Sequence, residues 1–504
     1  MKQNKPSTRV TAGPQNVIVI GGGPAGLSAA VAARKAGAQV TLIESSDQLG
    51  GQFWRHLPED RSGKKESKLH HNWDTYIQLR NSVLDDELCT VMLETQVWSL
   101  EHDSTGKVLL NIAVGPADST KRTFLQLAPD ALVLATGAHD RTLPFPGWDL
   151  PGVFTAGAAQ AFAKSERIAV GSRVLIAGAG PFLLPVMSSL ASTQAKVVGV
   201  FEANTAGNLR NWLKDSPWKL LGAGHKGVEL VEYLTSHIKY RIPYHLGYGV
   251  IQAHGTNHVE AVTVSKLDKD WNPVPGTERT YQVDAVCVSH GFTPRIELAI
   301  AAGCNISPSK FVEVSESQET SIPGIYAAGE ITSIGGCDAA IAEGEVAGHC
   351  AAGGCTSDSQ IRRSIRNRAI FKHFAARLEA AHGIRRGWTT WLNDNTILCR
   401  CEETEFGAFR DTVKVTSSAS LRSTKLTTRA GLGICQGRIC GRNVETILET
   451  LSGDKRGDGS HSDRRPIVSP VRIGDLANCN ISKTNSISPD SMPKLYRPTN
   501  ESEA

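Results

Sequence analysis

The stretch NVIVIGGGPAGLSAAVAARKAGAQVTLIE, residues 16–44, constrains the fold more than any other part of the sequence. Residues 17–20 form an apolar run typical of a buried strand, and three glycines with G-x-G-x-x-G spacing follow it: Gly21, Gly23 and Gly26. An alanine-rich helical segment and a second apolar strand come next, and that strand ends in Glu44. This order is the fingerprint of a βαβ unit that binds a dinucleotide.

Each residue of the fingerprint has a physical role. Gly21 permits the tight turn, Gly23 lets the backbone approach a pyrophosphate, and Gly26 lets the helix pack against the strand. The phosphates would meet free N–H groups at the helix N-terminus, and Glu44 would accept hydrogen bonds from ribose hydroxyls. The sequence therefore predicts an α/β fold with a nucleotide site near the N-terminus. The alternative is a glycine-rich turn in an unrelated α/β protein.

A second copy of the pattern, at residues 172–204, is incomplete. Gly178 and Gly180 follow an apolar strand and Glu202 closes the next one, but Leu183 stands at the third glycine position. A leucine there prevents the closest approach of helix and strand. The segment predicts a second nucleotide-type fold with two open interpretations. It either binds NAD(H) or another adenine nucleotide, or it is a scaffold that has lost its ligand.

Four of the eleven cysteines lie close together in the sequence near the C-terminal end: Cys399, Cys401, Cys435 and Cys440. The C-x-C pair is tight for a zinc knuckle, whereas iron–sulfur proteins use four thiolates with more varied spacing. Glycines in AGLGICQGRICG free N–H groups for cluster sulfides, and arginines offset negative charge. The residues favour a [2Fe–2S] cluster over zinc, and either of these over four free thiols.

Composition narrows the classes of function. A net charge of +4 on 504 residues gives no argument for a nucleic-acid partner. No apolar run reaches the roughly 18 residues that cross a bilayer, and the polar start of the chain lacks the apolar centre of a signal peptide. We therefore expect a cytoplasmic protein without structural disulfides, in which clustered cysteines serve metal binding or catalysis.

Two further stretches carry a resemblance. Residues 130–141, DALVLATGAHDR, and 321–348, SIPGIYAAGEITSIGGCDAAIAEGEVAG, resemble the two-dinucleotide-domain flavoproteins related to glutathione and thioredoxin reductase. The resemblance implies FAD, with an acid holding the ribityl chain; here that acid is Glu330, one methylene longer than the aspartate of the pattern. It adds cofactor-binding candidates beyond the two fingerprints: Gly51, Gln52, Gly137 and Gly329.

The redox cysteine pair of that superfamily is missing. LGGQFWRHLPED, after the first fingerprint, contains no cysteine, and none follows the second until Cys287. Cys350 and Cys355 show a four-residue gap but come after the last flavin helix. Disulfide reduction is therefore not expected, and no arrangement of side chains indicates a catalytic nucleophile or base. We assign no catalytic residue.

The cysteine block, CRCEET with TRAGLGICQGRICGRN, resembles the bacterioferritin-associated-ferredoxin-like [2Fe–2S] domain. With GAHDRTLPFPGWDLPGVFTAGAAQ and VLIAGAGPFLLPV, it makes the chain similar to the larger nucleotide-binding subunit of heteromeric amine and imino-acid dehydrogenases. Opine oxidase, hydrogen cyanide synthase and dye-linked L-proline dehydrogenase have such subunits. The resemblance implies two Rossmann-like folds, one inserted in the other, plus a small C-terminal [2Fe–2S] domain.

The expected organisation has six parts. They are a flexible leader (1–15), an FAD-binding domain (16–150 and 285–350), a second nucleotide-type domain (151–284), a linker helix (351–395), the [2Fe–2S] domain (396–451) and a disordered tail (452–504). Residues 208–238 are expected to form helices on the second domain. The basic linker helix is interpreted either as a docking surface for a partner or phosphates, or as a solvated helix face.

The resemblance also implies a function. The expected role is electron transfer within an opine oxidase, where a smaller subunit of amino-acid-oxidase type oxidises the substrate and a respiratory carrier accepts the electrons. That carrier would allow peripheral attachment to the inner membrane through partners. The alternatives are a glycine-oxidising subunit of hydrogen cyanide synthase, an L-proline or amine dehydrogenase subunit, a stand-alone NAD(P)H oxidoreductase, and a non-enzymatic iron- or cluster-binding adaptor.

Overall fold

The computed structural model describes residues 16–58, 61, 66–119, 121–207, 240–453, 465, 467–477 and 482–483. The predicted leader, the predicted helices at 208–238 and most of the predicted disordered tail lie outside these residues. Within that tail, Val468 is buried and its N–H donates to the Trp98 carbonyl at 2.8 Å.

Strands and helices alternate over residues 16–92 and again over residues 153–202, and consecutive strands fill the part between them. In chain order the strands are β1 (Asn16–Ile20), β2 (Gln39–Ile43), β3 (Cys89–Met92), β4 (Thr95–His102), β5 (Val108–Val114), β6 (Thr123–Leu127), β7 (Ala131–Leu134), β8 (Ala138–Asp140), β9 (Val153–Thr155), β10 (Arg173–Gly178), β11 (Lys196–Glu202), β12 (Tyr244–Leu246), β13 (Tyr248–His254), β14 (Ala261–Lys266), β15 (Arg279–Gln282), β16 (Ala285–Ser289), β17 (Phe292–Pro294), β18 (Ile325–Ala327), β19 (Ile397–Cys399), β20 (Thr404–Glu405) and β21 (Ser482–Lys483). The α-helices are α1 (Pro24–Lys35), α2 (Glu66–Leu69), α3 (Trp73–Leu84), α4 (Ala156–Ala161), α5 (Leu183–Ala191), α6 (Glu297–Ala301), α7 (Gly336–Ala351), α8 (Arg362–His382), α9 (Phe406–Thr416), α10 (Leu421–Thr428), α11 (Gly441–Ser452) and α12 (Ile473–Ala477).

The first sheet is parallel and has the order β18-β7-β1-β2-β3. Its central strand β1 is buried on both faces: Val17 and Val19 pack towards α1 and α7, while Ile18 and Ile20 pack towards β4 and β5. Burial on both faces explains why β1 is an uninterrupted apolar run. The carboxyl ends of the parallel strands place the glycine turn at one edge of the sheet.

The second sheet is also parallel, with the order β12-β11-β10-β16-β9. This arrangement corrects one predicted boundary. The chain was predicted to return to the first domain at residue 285, but β16 pairs with β10, with Val174 opposite Ala285. The buried apolar strand completes the second sheet, so the chain crosses back only after Ser289.

Smaller antiparallel sheets surround the two parallel ones. Strands β4, β5 and β6 form an antiparallel meander, and β21 joins its edge in parallel with β6. Strands β13, β14 and β15 form a second meander, and β8 pairs with β17 in the crossing between the two parallel sheets.

Helices α1 and α7 pack with their backbones in close contact. A Cβ added to Gly344 would lie 2.2 Å from the Ala25 carbonyl oxygen, and one added to Gly348 would lie 2.0 Å from that of Ala29. Side chains at these two positions of α7 would push the helices apart. The small residues that were visible in the sequence therefore bring α7 against the glycine turn.

The cysteine segment shares a core with the second fold. Leu398, Phe409 and Val444 belong to the same buried cluster as Trp271 and Trp388. Cys399 ends β19, Cys401 lies in the turn that leads to the antiparallel β20, and α11 begins directly after Cys440. The described helices include none long and apolar enough to cross a membrane.

Candidate cofactor sites

The first fingerprint turn requires glycine at two of its three positions. Gly21 has φ of +109°, and a Cβ on it would lie 2.3 Å from the Ala135 carbonyl oxygen. A Cβ on Gly26 would lie 1.7 Å from the Gly21 carbonyl oxygen. Both glycines are therefore needed to close β1 against α1, as the sequence predicted.

Gly23 differs because the protein itself leaves room beside it. Its φ of −80° suits any residue, and the nearest atom to an added Cβ is the Gly51 Cα at 3.8 Å. Gly51, with φ of +59°, packs against Gly23 from the other side, and the exposed Gln52 follows at the wall of a cavity. Glycine at this position leaves space at the N-terminus of α1 for a ligand.

Glu44 is buried at the end of β2 and accepts hydrogen bonds from the turn. Its Oε2 accepts from the Gly22 N–H at 2.6 Å, and its Oε1 accepts from the Ser46 N–H at 2.8 Å and the Ser45 hydroxyl at 3.2 Å. The side chain also lines the cavity. An ionised carboxylate offers about four acceptor positions, so one remains for a ligand hydroxyl.

One cavity of about 2330 Å³ connects most of the predicted cofactor residues. It exceeds the roughly 300–1,000 Å³ of an ordinary ligand pocket, so it has room for an extended cofactor. The predicted residues that line it are Gly21, Gly23, Glu44, Gly51, Gln52, Gly137, Glu202, Gly329, Glu330 and Cys435. Gly26 and Gly178 lie behind its wall in close backbone packing, and Gly180 is buried beside His382.

Gly137 and Gly329 occupy the strand-to-turn exits of the first sheet. Gly137 has φ of +69° with open space around an added Cβ, and its carbonyl accepts from the Arg295 N–H at 2.9 Å. Gly329 has φ of +80°, and a Cβ on it would lie 2.8 Å from that of Ala25. At both exits glycine leaves only backbone at the cavity wall, where a side chain would obstruct the cavity.

Glu343, which was not predicted from the sequence, holds the Gly329 turn from behind. Its Oε2 accepts from the Gly329 N–H at 2.9 Å and from the Thr332 hydroxyl at 2.6 Å, and its Oε1 lies 3.6 Å from the Lys372 Nζ. The side chain is buried, and burial raises its pKa against the opposing effect of Lys372. An acid within an alanine- and glycine-rich helix was the available signal.

Glu330 lies on the cavity side of the same turn. Its Oε1 accepts from the Gly336 N–H at 3.1 Å, at the N-terminus of α7. Burial is the largest cause that raises its pKa to about 7, and the hydrogen bond from Gly336 opposes this shift. The carboxyl group can therefore carry a proton near neutral pH and act as donor or acceptor towards a ligand.

The second fingerprint folds as the sequence predicted but ends differently. Gly178 has φ of +145°, and a Cβ on it would lie 1.7 Å from the Ser289 carbonyl oxygen. Gly180 donates its N–H to Glu202 Oε2 at 2.9 Å, and Leu183, at the third glycine position, is fully buried. The turn is thus a nucleotide-type turn whose acid binds the turn's own backbone.

The four predicted cysteines come together as two pairs of thiols. A hydrogen bond with Cys440 is the largest cause that lowers the pKa of Cys399 to about 5, and it raises the pKa of Cys440. Cys401 pairs with Cys435: a backbone hydrogen bond from Cys435 lowers its pKa, whereas burial and the Cys435 thiol raise it to a net increase. The two pairs lie close together, because charges on Cys399, Cys435 and Cys401 each contribute to raising the pKa of Cys440.

Two glycines bring the backbone close to these cysteines. The Gly431 N–H donates to Cys399 Sγ at 3.4 Å, and a Cβ on Gly433 would lie 2.2 Å from the Cys401 Cβ. Within the described ranges, no group of three or more His, Cys, Asp or Glu side chains is placed, as the side chains stand, to hold a metal ion.

The cysteine segment meets the first fold at the cavity. Cys435, Arg438 and Ile439 line the same cavity as the glycines of the first fold. The His139 Nε2 lies 3.1 Å from the Arg438 carbonyl oxygen, and the Arg438 Nε lies 2.8 Å from Glu297 Oε1. Neither His139 nor Arg438 was predicted from the sequence to take part in the site.

The predicted linker helix α8 contacts both nucleotide-type folds. Arg368 donates to the Gln318 Oε1 at 3.0 Å, beneath β18, and the far end of α8 places His382 beside the second fingerprint. Both cysteines with the four-residue gap were predicted to follow α7, but Cys350 lies buried in its last turn, and only Cys355 follows the helix, where it is exposed; both are free thiols. Helix α8 is therefore part of the site's wall and not only a connection.

The sequence matches the model of a family described as pyridine nucleotide-disulphide oxidoreductase over residues 15–344, more than half of the chain. The chain belongs to this family. It is an oxidoreductase with Rossmann-like nucleotide-binding folds, and the family match indicates sites for FAD and a pyridine nucleotide.

This oxidoreductase also has relatives similar over most of its length. It is 29% identical over 464 residues to hydrogen cyanide synthase subunit HcnB of Pseudomonas protegens, covering 87% of this chain and 93% of that one. It is 30% identical over 493 residues to an opine oxidase subunit of Rhizobium meliloti, covering 92% and 87%. The structure of L-proline dehydrogenase from P. horikoshii has the same fold, with a TM-score of 0.61 and 22% identity over 92% of this chain and 79% of that one.

Proposed function

We propose that the chain is the electron-transferring flavin and iron–sulfur subunit of a heteromeric opine oxidase. FAD binds at the first fingerprint, and Cys399, Cys401, Cys435 and Cys440 hold a [2Fe–2S] cluster within a C-terminal domain near residues 396–451. A smaller partner subunit of amino-acid-oxidase type oxidises octopine or nopaline.

One observation carries this proposal. The loop with Cys435 lines the same cavity as the first glycine turn, together with Arg438 and Ile439. A cofactor in that cavity would touch the segment that holds the thiols. Such contact favours electron transfer between two groups held by one chain.

The residues of the first site fit FAD. Gly23 leaves space at the N-terminus of α1 for a pyrophosphate, and Glu44 keeps an acceptor position for a ribose hydroxyl. Glu330 faces the cavity from the turn that the family uses for the ribityl chain. FAD bound there would accept two electrons together. The chain's part is to bind and orient it and to exclude water from the cavity.

The thiols fit an iron–sulfur cluster in their chemistry and grouping. Two pairs of sulfurs, Cys399 with Cys440 and Cys401 with Cys435, suit two iron ions with two thiolates each. The Gly431 N–H already points at a thiol sulfur, and such hydrogen bonds tune the reduction potential. Bound there, the cluster would pass electrons one at a time.

The reaction assigned to the complex is oxidation at a CH–NH donor. The opine's secondary amine loses two electrons and two protons to become an imine in the partner, and water then releases an amino acid and a 2-keto acid. The present chain takes the electrons from the partner and passes them to a respiratory quinone or cytochrome.

A hydrogen cyanide synthase subunit, with glycine as the substrate of its complex, is the second candidate. The observation in its favour is the relative HcnB, which aligns over 87% of this chain with an identity close to that of the opine oxidase relative. An L-proline or amine dehydrogenase subunit shares the same fold and the same division of labour. A non-enzymatic cluster-binding adaptor would contain a cluster but no flavin.

Reconstitution with the proposed smaller partner subunit, expressed from a gene beside the one for this chain, tests the proposal. The purified complex is mixed with octopine, nopaline, glycine or L-proline and an artificial one-electron acceptor, and acceptor reduction is followed. We expect an opine to give the highest kcat/KM in the complex and this chain alone to give less than about one hundredth of that rate. Full activity of this chain alone would contradict the division of labour, and a preference for glycine would select the second candidate.

A further inference from the structure

The carboxylate of the second fingerprint has no acceptor position left for a ligand. Glu202 accepts from the Gly180 N–H at 2.9 Å, from the Asn204 N–H at 3.1 Å and from the Asn204 Nδ2 at 2.8 Å. The Tyr244 hydroxyl also bonds to it. Burial first, and then Glu202, raise the pKa of Tyr244, so this hydroxyl keeps its proton and donates. These four donors match the roughly four acceptor positions of a carboxylate.

The first fingerprint provides an internal comparison. There the acid Glu44 accepts a hydrogen bond from the N–H of Gly22, the middle residue of the turn, and has three protein donors in all. In the second fingerprint the acid takes the N–H of Gly180, which corresponds to Gly23. The backbone N–H group nearest to the expected pyrophosphate is thus already used by the protein.

Helix α5, which would face the phosphates, begins further from its glycine turn than α1 does and offers fewer free N–H donors. Helix α1 begins at Pro24, one residue after Gly23, whereas α5 begins at Leu183, three residues after Gly180. In the first turn of α5 the Leu183 N–H donates to the Gly180 carbonyl at 3.2 Å, the Leu184 N–H donates to the Pro181 carbonyl at 3.1 Å, and Pro185 has no N–H group. The first turn of α5 therefore offers fewer free donors to a diphosphate than the first turn of α1.

The end of α8 covers what remains of this site. The Cβ of His382 is 4.0 Å from the Cβ that Gly180 would carry, and the His382 Nδ1 lies 3.6 Å from Glu202 Oε1. The Asn204 Nδ2 also approaches the His382 carbonyl oxygen at 3.4 Å. A ligand phosphate that approached Gly180 would therefore meet His382 at the wall of the cavity.

We infer that the second nucleotide-type fold of this chain does not bind a pyridine dinucleotide, because Asn204, Tyr244 and His382 occupy the contacts that the ribose and phosphates would make. The chain departs here from the family description, which names a pyridine nucleotide. The inference goes beyond the proposed function: it excludes NAD(P)H as the electron donor, and it holds whichever amine the complex oxidises.

Titration of the full-length, flavin-containing chain with NADH and with NADPH tests this inference. Calorimetry under anaerobic conditions measures binding, and the flavin absorbance measures electron transfer. We expect no saturable heat up to about 1 mM nucleotide and no bleaching of the flavin. Saturable binding with Kd below about 0.1 mM, or bleaching by either nucleotide, would overturn the inference.

A double substitution tests the physical reason. Tyr244→Phe with Asn204→Ala removes two side-chain donors and so frees two acceptor positions of Glu202. NADH should then bind at least about ten times more tightly than to the wild type. The control is Tyr248→Phe, because Tyr248 contacts His245 and not Glu202. An unchanged affinity in a folded double variant would overturn the assignment of these residues as the block, and if the double variant does not fold, the wild-type titration decides alone.

Discussion

The imidazole of His139 lies 3.1 Å, Nε2 to oxygen, from the backbone carbonyl of Arg438, although the two residues are 299 positions apart in the chain. Burial is the largest cause that lowers the pKa of His139, so the ring is neutral. Because a carbonyl oxygen only accepts, the Nε2 atom carries the hydrogen. The contact ties the strand after Gly137 to the loop between Cys435 and Cys440.

Replacement of Arg438 should loosen this junction. Its guanidinium pairs with Glu297 at 2.8 Å, donates to the Cys435 carbonyl at 3.1 Å and contacts the Val468 carbonyl. Arg438→Ala should destabilise the cysteine segment by about 2 kcal/mol. It should also slow electron transfer from flavin to cluster at least about tenfold, measured by rapid mixing of the reduced complex with acceptor.

The matched control is Arg410→Ala on α9. Arg410 has a similar exposure and pairs with Asp394 and Asp411, which are exposed acids away from the cavity. The control should leave both quantities within about 0.5 kcal/mol and twofold of the wild type. Equal effects of the two substitutions would mean that the Arg438 contacts do not couple the cysteine loop to the first fold.

Two glycine substitutions in one turn should have opposite consequences. Gly26→Ala places a Cβ 1.7 Å from the Gly21 carbonyl oxygen, so it should destabilise the fold by several kcal/mol or prevent folding. Gly23→Ala places its Cβ 3.8 Å from the nearest protein atom, so it should fold normally but bind FAD at least about tenfold more weakly. Denaturation curves and FAD titrations separate the two effects. Normal FAD binding by Gly23→Ala would refute the first site.

Glu343 should act as a positioning residue for the Gly329 turn. Glu343→Ala leaves the Gly329 N–H and the Thr332 hydroxyl without their acceptor, at a cost of about 1–3 kcal/mol each. FAD affinity should fall at least about tenfold. Glu343→Gln keeps an acceptor oxygen and should retain most of the affinity, and Glu313→Ala, at an exposed acid, is the control. Equal FAD affinity in all three variants would exclude this role.

Glu330 should make the stability of the FAD-free chain depend on pH. Burial raises its pKa from 4.5 to about 7. Between these values the unfolded state loses the proton while the folded state keeps it, so stability falls as pH rises through this window and is constant above it. Glu330→Gln cannot ionise at this position, so its stability should not show this fall. In urea denaturation, the stability gain of the variant over wild type should be larger at pH 8 than at pH 5; an equal difference at both values would contradict the assignment.

The local parts of this site were visible in the sequence, whereas its distant contacts were not. The requirement for glycine at Gly21 and Gly26 follows from a five-residue spacing, because both residues belong to one turn. The four cysteines also stood out as a group. Their division into the pairs 399 with 440 and 401 with 435 depends on how the loops fold and had no sequence signal.

Three further features depended on tertiary structure. The partner of β16 is chosen by sheet packing, which the apolar run alone does not specify, so the predicted boundary at residue 285 was wrong. The missing third glycine left the second fold open to two interpretations, because the donors to Glu202 come from Asn204 and from the distant Tyr244. The contact of His382 with this fold crosses 180 residues of sequence.

Iron, inorganic sulfide and flavin measured in the anaerobically purified full-length chain decide whether it joins a flavin to an iron–sulfur cluster. We expect about two irons, about two sulfides and about one flavin per chain, with the iron and sulfide lost together in the Cys435→Ser variant. Stoichiometric zinc, or protein without iron and sulfide, would contradict it.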